Sequence, residues 1–320
     1  MLPQYGAMVA FWATRASPCH KIPRYKIRLR LPVGTCHHPQ ALLAETLLPV
    51  TFALISPLLL KMAIVSAVVV LAARVAERTR PALAALIATL PFSIGPTYVL
   101  LAMEHEPAFL RAAALVSVAG ACATTVFIAA YAHAIPRLRP VPALILAYLA
   151  WLPMAVLVYL VDWTITRTVL FSIVIIGACY LGTARLRAHA PSVPPVRRWW
   201  DVPLRAVSVA LLVGGVTALS TLLGPVGTGT LANFPIVMSS MGFIMHLRFG
   251  PPAAAAMLAG SMGGMAGICA ALLVVHLTMG PFSAALSLVM GLAVTVIWNL
   301  VLLAAHQREF VKKNKNASVS

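Results

Sequence analysis

Acidic side chains are scarce in this chain of 320 residues. It has seven Asp and Glu against 24 Lys and Arg, which gives a formal net charge of +17 at neutral pH. No acidic residue lies in the middle of a long apolar run, so the sequence lacks the intramembrane carboxylate that proton-coupled carriers use. Charged residues make up 10% of the chain and apolar residues 61%. So little polar surface cannot enclose a soluble globule, and the composition predicts an all-α, multi-pass membrane protein.

Motifs for catalysis and metal binding are also missing. The sequence contains no GxSxG, no HExxH and no paired carboxylates in a common layer. The five cysteines lack CxxC spacing, and three of them fall within apolar helices, where a free thiol behaves as a small hydrophobe: Cys122, Cys179 and Cys269. We therefore expect no catalytic residues, no metal site and no cofactor, and the protein is not predicted to be an enzyme.

The first 41 residues differ from the rest of the chain. They carry basic residues and prolines without any acidic residue, and no helix or strand pattern fits them. Residues 1–41 are predicted to be a disordered tail, or not to be made at all if translation starts near residues 50 to 62. A third interpretation is a metal cluster, but the spacing of its ligands matches no standard zinc finger: Cys19, His20, Cys36 and His37.

Apolar runs long enough to cross a bilayer, which takes about 20 residues, recur from there on. They predict nine transmembrane helices, at about 57–75, 81–103, 108–133, 141–161, 165–183, 203–223, 226–247, 252–277 and 282–304. A tenth span within 42–60 is the alternative. Basic clusters follow the odd-numbered spans, so the positive-inside rule places those loops and the basic C-terminal tail, 306–320, in the cytoplasm. Topology thus accounts for the positive charge, and the lipid bilayer is the predicted partner rather than nucleic acid.

An internal repeat is indicated by an offset of 144 residues. This offset aligns three prolines of the first half with three of the second: Pro81, Pro91 and Pro107 with Pro225, Pro235 and Pro251. It predicts two four-helix units, 42–163 and 203–305, joined by an extra helix and a basic linker, 164–202. The extra helix makes the second unit enter the membrane from the opposite side, so the repeat would be inverted. Inverted repeats recur in secondary transporters, and the alternative is a unit duplicated for stability.

Two proline-containing stretches interrupt the predicted helices at equivalent places in the two units. A broken backbone at membrane depth is tolerated where protein or a water-filled cavity satisfies its polar groups. The two stretches predict a midmembrane path for a small solute, with helix packing as the alternative. Because no ionisable residue lies beside either break, a weakly polar path is expected. Its candidate residues are Thr89, Pro91, Ser93, Gly95, Asn233, Pro235, Ser239 and Ser240.

Other local features have two interpretations each. Two overlapping GxxxG spacings, formed by Gly260, Gly263, Gly264 and Gly267, predict close helix packing, with a flexible gate as the alternative. The stretch 224–230 is either a turn that opens a membrane helix or an anion site at a helix N-terminus. Four aromatic residues, mostly near the ends of the span 141–161, are interpreted as interfacial: Tyr148, Trp151, Tyr159 and Trp163.

Four short segments resemble the small four-helix inner-membrane proteins of the GlpM family: Leu60-Lys61, residues 74–80 (RVAERTR), residues 85–91 (ALIATLP) and residues 109–112 (FLRA). The region 57–161 carries the resemblance, and 203–304 looks like a divergent copy in which Ala255 stands at the place of Arg111. The resemblance implies a protein of the bacterial inner membrane, and the family brings no catalytic residues to carry over. The sequence therefore predicts a transporter or permease for an unknown small solute. A non-transporting scaffold or accessory subunit is the alternative, and a homo-oligomer is compatible with both.

Overall fold

The computed structural model describes residues 94–187 and 201–317, together with isolated helical residues between Leu60 and Leu71. The predicted N-terminal tail and most of the first two predicted spans lie outside these residues. The described part contains eight helices and no strand. The helices are α1 Ile94–Glu104, α2 Pro107–Ala134, α3 Pro140–Leu160, α4 Ile165–Gly182, α5 Ala184–Arg187, α6 Asp201–Leu231, α7 Ile236–Thr278 and α8 Ala284–Ala317.

Six of the described helices are long and apolar enough to cross a membrane. They are α2, α3, α4, α6 from Ala206, α7, and α8 as far as Ala305. The part of the chain that the structure describes is therefore all-helical, and its apolar helices have the length and composition of a multi-pass membrane protein, as the sequence predicted. The count of nine spans stays a prediction, because most of the first two spans lies outside the described residues and because α6 and α7 are each interrupted.

Each interruption falls at a glycine that precedes proline. Gly224 has φ 63° and Gly250 has φ 77°, both in the left-handed region that glycine enters without steric cost. Proline follows each of them, and proline disfavours the α conformation of the preceding residue and cannot donate to the helix ladder. Helix α6 therefore consists of α6a (201–223) and α6b (225–231), and α7 consists of α7a (236–249) and α7b (251–278).

Helix α2 is central among the described helices, whereas α8 packs against α7 and α1 instead. Every residue from Ala113 to Thr125 is buried. This stretch consists mainly of Ala, Ser, Gly, Cys and Thr, and such small side chains let neighbouring backbones approach from several sides in an apolar environment. The most extensive contacts of α2 are with α7, α3, α6 and α4. By contrast, α3 and α4 expose large apolar side chains such as Leu149 and Ile173, which suits a lipid-facing surface.

Candidate functional site

A broken helix forms the most distinctive local structure of the described residues. Helix α6b ends at Leu231, four residues follow without helical conformation, and α7a begins at Ile236. At 1.5 Å per residue, α6b is about 10 Å long and α7a about 21 Å long, so neither crosses a hydrocarbon core of about 30 Å alone. The predicted span 226–247 is therefore two half-helices, and Pro235 is the last residue of the break between them.

The backbone of the break is satisfied inside the protein. The amide of Ala232 donates to the carbonyl oxygen of Thr228 at 2.9 Å, that of Phe234 to Leu231 at 2.9 Å, and that of Ile236 to Phe234 at 2.8 Å. These turn-like bonds replace part of the helical ladder that proline removes. The break therefore does not depend on water for these amide groups, which explains how it can lie between apolar helices.

Asn233 fastens the break to the central helix α2. Its side-chain nitrogen Nδ2 donates to the carbonyl oxygen of Ser117 at 3.1 Å and to that of Gly229 at 3.0 Å. The hydroxyl of Thr124 in turn donates to the carbonyl oxygen of Asn233. Because Asn233 is 5% exposed, these bonds form in a dry environment, where an unpaired amide is costly.

Two glycines create the room for this attachment. A Cβ atom at Gly120 would lie 3.0 Å from Nδ2 of Asn233, and one at Gly229 would lie 2.5 Å from the carbonyl oxygen of Ala113. The second distance is too short for any side chain. Helix α6b and the break therefore touch α2 through backbone, and this contact depends on the absence of side chains at both positions.

Helix α1 joins the same hydrogen-bond network. The hydroxyl of Ser117 donates to the carbonyl oxygen of Gly229 at 2.9 Å, and the Oη atom of Tyr98 lies 2.7 Å from the Oγ atom of Ser117. Since the proton of Ser117 is directed at Gly229, Tyr98 is the donor in the second bond. Ser117 thus links α1, α2 and α6b at one point.

Phe234 extends from the break into a group of aromatic rings. Its ring lies 5.6 Å from that of Tyr148 and 5.1 Å from that of Trp151, both on α3. Tyr148 also packs against Phe127 of α2 and lies 2.7 Å from the hydroxyl of Ser239 on α7a. Tyr148 and Trp151 were predicted to be interfacial. The prediction is wrong for these two residues, because both side chains point inward and pack on the break.

Three buried polar atoms on or beside the half-helices have no hydrogen-bond partner among the described residues. They are Oγ1 of Thr228 on α6b, Nε1 of Trp151, whose ring packs on Phe234, and Oη of Tyr131, whose ring lies against Gly242 of α7a. Tyr131 and Thr228 are fully buried and Trp151 is 7% exposed. A buried polar atom without a partner costs stability and so needs an explanation, such as a water or a solute that the site receives.

The candidate path residues differ in where the structure places them. Asn233, Pro235 and Ser239 meet at the break, and Gly95 lies in the first turn of α1 with open space where a Cβ would be. The hydroxyl of Ser240 bonds within its own helical turn, to the carbonyl oxygen of Val237. Three candidates lie outside the described residues: Thr89, Pro91 and Ser93.

Several site residues escaped the sequence analysis. Ser117, Gly120 and Thr124 recur at helical spacing on α2, and this spacing of small residues was the available signal. Tyr131 gave no signal, because an aromatic ring in an apolar helix is ordinary. Thr228 and Phe234 lie in or beside stretches that the sequence marks, but nothing distinguishes them from their neighbours there. The stretch 224–230 forms a turn at Gly224 followed by helix α6b, which agrees with the interpretation as a turn that opens a helix.

The predicted packing glycines lie on α7b. A Cβ atom at Gly267 would lie 2.4 Å from Cδ1 of Trp298 on α8, and the indole nitrogen of Trp298 donates to the carbonyl oxygen of Gly263 at 2.9 Å. A Cβ atom added at Gly264 would lie 4.0 Å from Oδ1 of Asn299 on α8, and one added at Gly260 would meet open space. Three of the four glycines therefore face α8.

The surroundings of the break carry no formal charge. Residues 225–245, α3, and α1 before Glu104 contain no Asp, Glu, Lys or Arg. The described residues also hold no group of three or more His, Cys, Asp or Glu placed to bind a metal ion. The site consists of hydroxyl, amide, indole and carbonyl groups beside aromatic rings. Comparison with protein-family models, curated proteins and solved structures finds no match to this chain.

Proposed function

We propose that this membrane protein is a permease for a small uncharged solute, and that the solute passes at the break between α6b and α7a. The observation that carries the proposal is a broken helix with three unpartnered polar atoms on or against its two halves, on Tyr131, Trp151 and Thr228. Discontinuous helices at membrane depth form the substrate sites of many transporters. Because no formal charge lies beside the break, an uncharged solute suits it better than an ion.

The helix boundaries support the inverted repeat that this function implies. Moving α2, Pro107–Ala134, by 144 residues gives 251–278, which has the same bounds as α7b. The same shift moves the first residue of α3, Pro140, onto the first residue of α8, Ala284. Helix α1 moves onto 238–248, within α7a. Boundaries are set independently in each half, so their agreement favours a duplicated unit over a chance alignment of prolines.

The crossing of α2 and α7b supports the inversion. The Nδ1 atom of His276 donates to the carbonyl oxygen of Arg111 at 2.8 Å. The Sγ atom of Cys269 lies 3.8 Å from the carbonyl oxygen of Val118. The contacts advance by seven residues along each helix in opposite directions, so the helices are antiparallel. Their equivalent positions meet close to Ala121, near the middle of α2. A two-fold axis in the membrane plane relates copies of one helix in this way.

The orientation follows from the basic loops. We place the loop between α2 and α3, with Arg137 and Arg139, in the cytoplasm, and with it the basic C-terminal tail. The opposite direction of α7b then puts the loop before α8 outside the cytoplasm. The membrane is the bacterial inner membrane if the GlpM-like resemblance holds.

A scaffold is the second candidate, and one observation favours it. Both Nδ2 hydrogen bonds of Asn233 and the amides of the break are satisfied by the protein itself. A break that is fully bonded could serve only to bring α2 and α7a together. The two candidates differ in what they require of the unpartnered atoms: a permease uses them and a scaffold does not.

The test measures solute entry into proteoliposomes by stopped-flow light scattering, with glycerol, urea and erythritol as the probes. Tyr131→Phe removes a polar atom that has no protein partner and keeps the ring. Trp151→Phe removes the indole nitrogen and leaves a smaller aromatic ring against Phe234. Tyr159→Phe is the matched control, because Tyr159 is exposed on α3. We expect entry above empty liposomes for the wild type and a several-fold loss for the first two variants only. No entry of any probe, or equal entry for all variants, favours the scaffold.

A further inference from the structure

Two buried thiols from different helices approach the same backbone oxygen. The Sγ atom of Cys122 on α2 lies 3.5 Å from the carbonyl oxygen of Val118, and the Sγ atom of Cys269 on α7b lies 3.8 Å from that same oxygen. Both residues are buried, at 0% and 7% exposure. The sequence places these cysteines 147 positions apart, so only the antiparallel crossing of α2 and α7b makes them neighbours.

A third helix contributes a hydroxyl beside the pair. The thiol of Cys122 also lies 3.3 Å from the Oγ atom of Ser172 on α4, and that hydroxyl donates to the carbonyl oxygen of Thr168 at 2.8 Å. Since the Ser172 proton is directed at Thr168, the Ser172 oxygen accepts from Cys122. The pair thus lies where α2, α4 and α7b meet, away from the break.

The number and type of donor atoms limit what the pair can bind. Structural zinc takes four ligands in a tetrahedron, and the described residues hold no group of three or more His, Cys, Asp or Glu that could provide them. Two sulfur atoms on opposing helices suit a soft ion that accepts two ligands, and thiolate sulfur selects Cu(I) among the common metals. We propose that Cys122 and Cys269 form a two-sulfur binding site for a soft cation of the Cu(I) type.

Binding determines the protonation of both thiols. Cysteine coordinates a metal ion as the thiolate, so both thiols release their protons to the solvent when Cu(I) binds. The bound form then carries one net negative charge, and the cost of that charge inside a membrane protein limits the affinity of the site. The bound ion ties α2 to α7b, which belong to different halves of the proposed repeat, and so restrains their relative motion.

The test measures copper bound during biosynthesis, so that the ion does not have to enter a folded core. Cells that express the full-length protein without a polyhistidine tag grow with added copper, and copper per chain is measured by mass spectrometry after anaerobic purification. Every protein carries substitutions that remove the ligands of the tail: Cys19→Ser, His20→Ala, Cys36→Ser, His37→Ala and His38→Ala. Cys122→Ser and Cys269→Ser are the test variants, and Cys179→Ser is the matched control, a third cysteine in an apolar helix.

We expect about one copper per chain in the reference protein and in Cys179→Ser, and a loss of at least tenfold in each test variant. Copper at background level in the reference protein, or an equal content in all variants, overturns the proposal. Copper K-edge X-ray absorption of the reference protein gives a measurement that needs no core variant. Two sulfur neighbours are expected, and a shell of nitrogen or oxygen overturns the site.

Discussion

The side-chain amide of Asn233 donates a hydrogen bond to the carbonyl oxygen of Ser117, a residue 116 positions earlier in the chain. This bond ties the break between α6b and α7a to the most buried helix of the described protein. It also joins the two halves of the proposed repeat, since Ser117 belongs to the first and Asn233 to the second.

Replacing Asn233 by Ala should destabilise the protein by about 1–2 kcal/mol, because two hydrogen bonds are lost in a dry environment. The measurement is denaturant-induced unfolding in detergent micelles. Ser240→Ala is the control, since its hydroxyl bonds only within its own turn, and its stability should change little. Equal stability of the two variants would show that the amide of Asn233 does not hold the break.

Gly229→Ala should destabilise the protein by about 1–3 kcal/mol, because the added methyl group meets the backbone of α2 and forces the helices apart. Gly177→Ala, where no atom lies within 4 Å of the added Cβ, should instead gain about 0.5–1 kcal/mol from higher helix propensity. Thermal unfolding in detergent compares the two. A stable Gly229→Ala protein contradicts the close approach of α6b to α2.

Gly267→Ala tests the packing of α7b against α8. The new methyl group displaces the indole ring of Trp298 and weakens its hydrogen bond to Gly263, so a loss of about 1–3 kcal/mol is expected. Gly260→Ala serves as the reference on the same helix, because its added Cβ meets open space. If Gly267→Ala lowers solute entry and leaves stability unchanged, the result favours a flexible gate at these glycines over close helix packing.

Tyr131→Phe should leave the stability of the protein unchanged or raise it by up to about 1 kcal/mol. The substitution removes a buried hydroxyl that has no partner, and such a group costs free energy in the folded state. Tyr148→Phe should lower stability by about 0.5–1.5 kcal/mol, because Ser239 loses its hydrogen-bond donor. Unfolding curves recorded side by side check the difference. A marked loss in Tyr131→Phe would mean that its hydroxyl is bonded after all.

The loops that follow α2 and α7b should lie on opposite faces of the membrane. In a variant without native cysteines, Leu138→Cys is expected to react with a membrane-impermeant maleimide only in inverted vesicles. Phe282→Cys is expected to react only in right-side-out vesicles. Both side chains are exposed, so access does not limit the reaction. Labelling of both positions from one side excludes the inverted repeat.

The boundaries of the helices were readable from the sequence because they depend on local properties. The predicted span 165–183 agrees within one residue with α4, Ile165–Gly182. The predicted span 252–277 agrees equally well with α7b, 251–278. Hydropathy marks where a segment can cross a bilayer, and Gly-Pro pairs mark where a helix is interrupted, each without reference to distant residues. Proline marks the stretch 232–235 in the same way, and there the chain leaves the helical conformation.

The residues that meet at the break and at the thiol pair were decided by tertiary packing. In a bilayer the outer face of a helix is as apolar as its inner face, so hydrophobic periodicity does not tell which side is buried. The sequence therefore predicts Tyr148 and Trp151 to be interfacial, whereas in the structure they pack on Phe234. By itself the sequence determined an apolar helical chain with uncharged, proline-broken segments. Only the crossing of α2 with α6b and α7b brought Asn233 to Ser117 and Cys122 to Cys269, because contacts across more than 100 residues arise from packing, not from local preference.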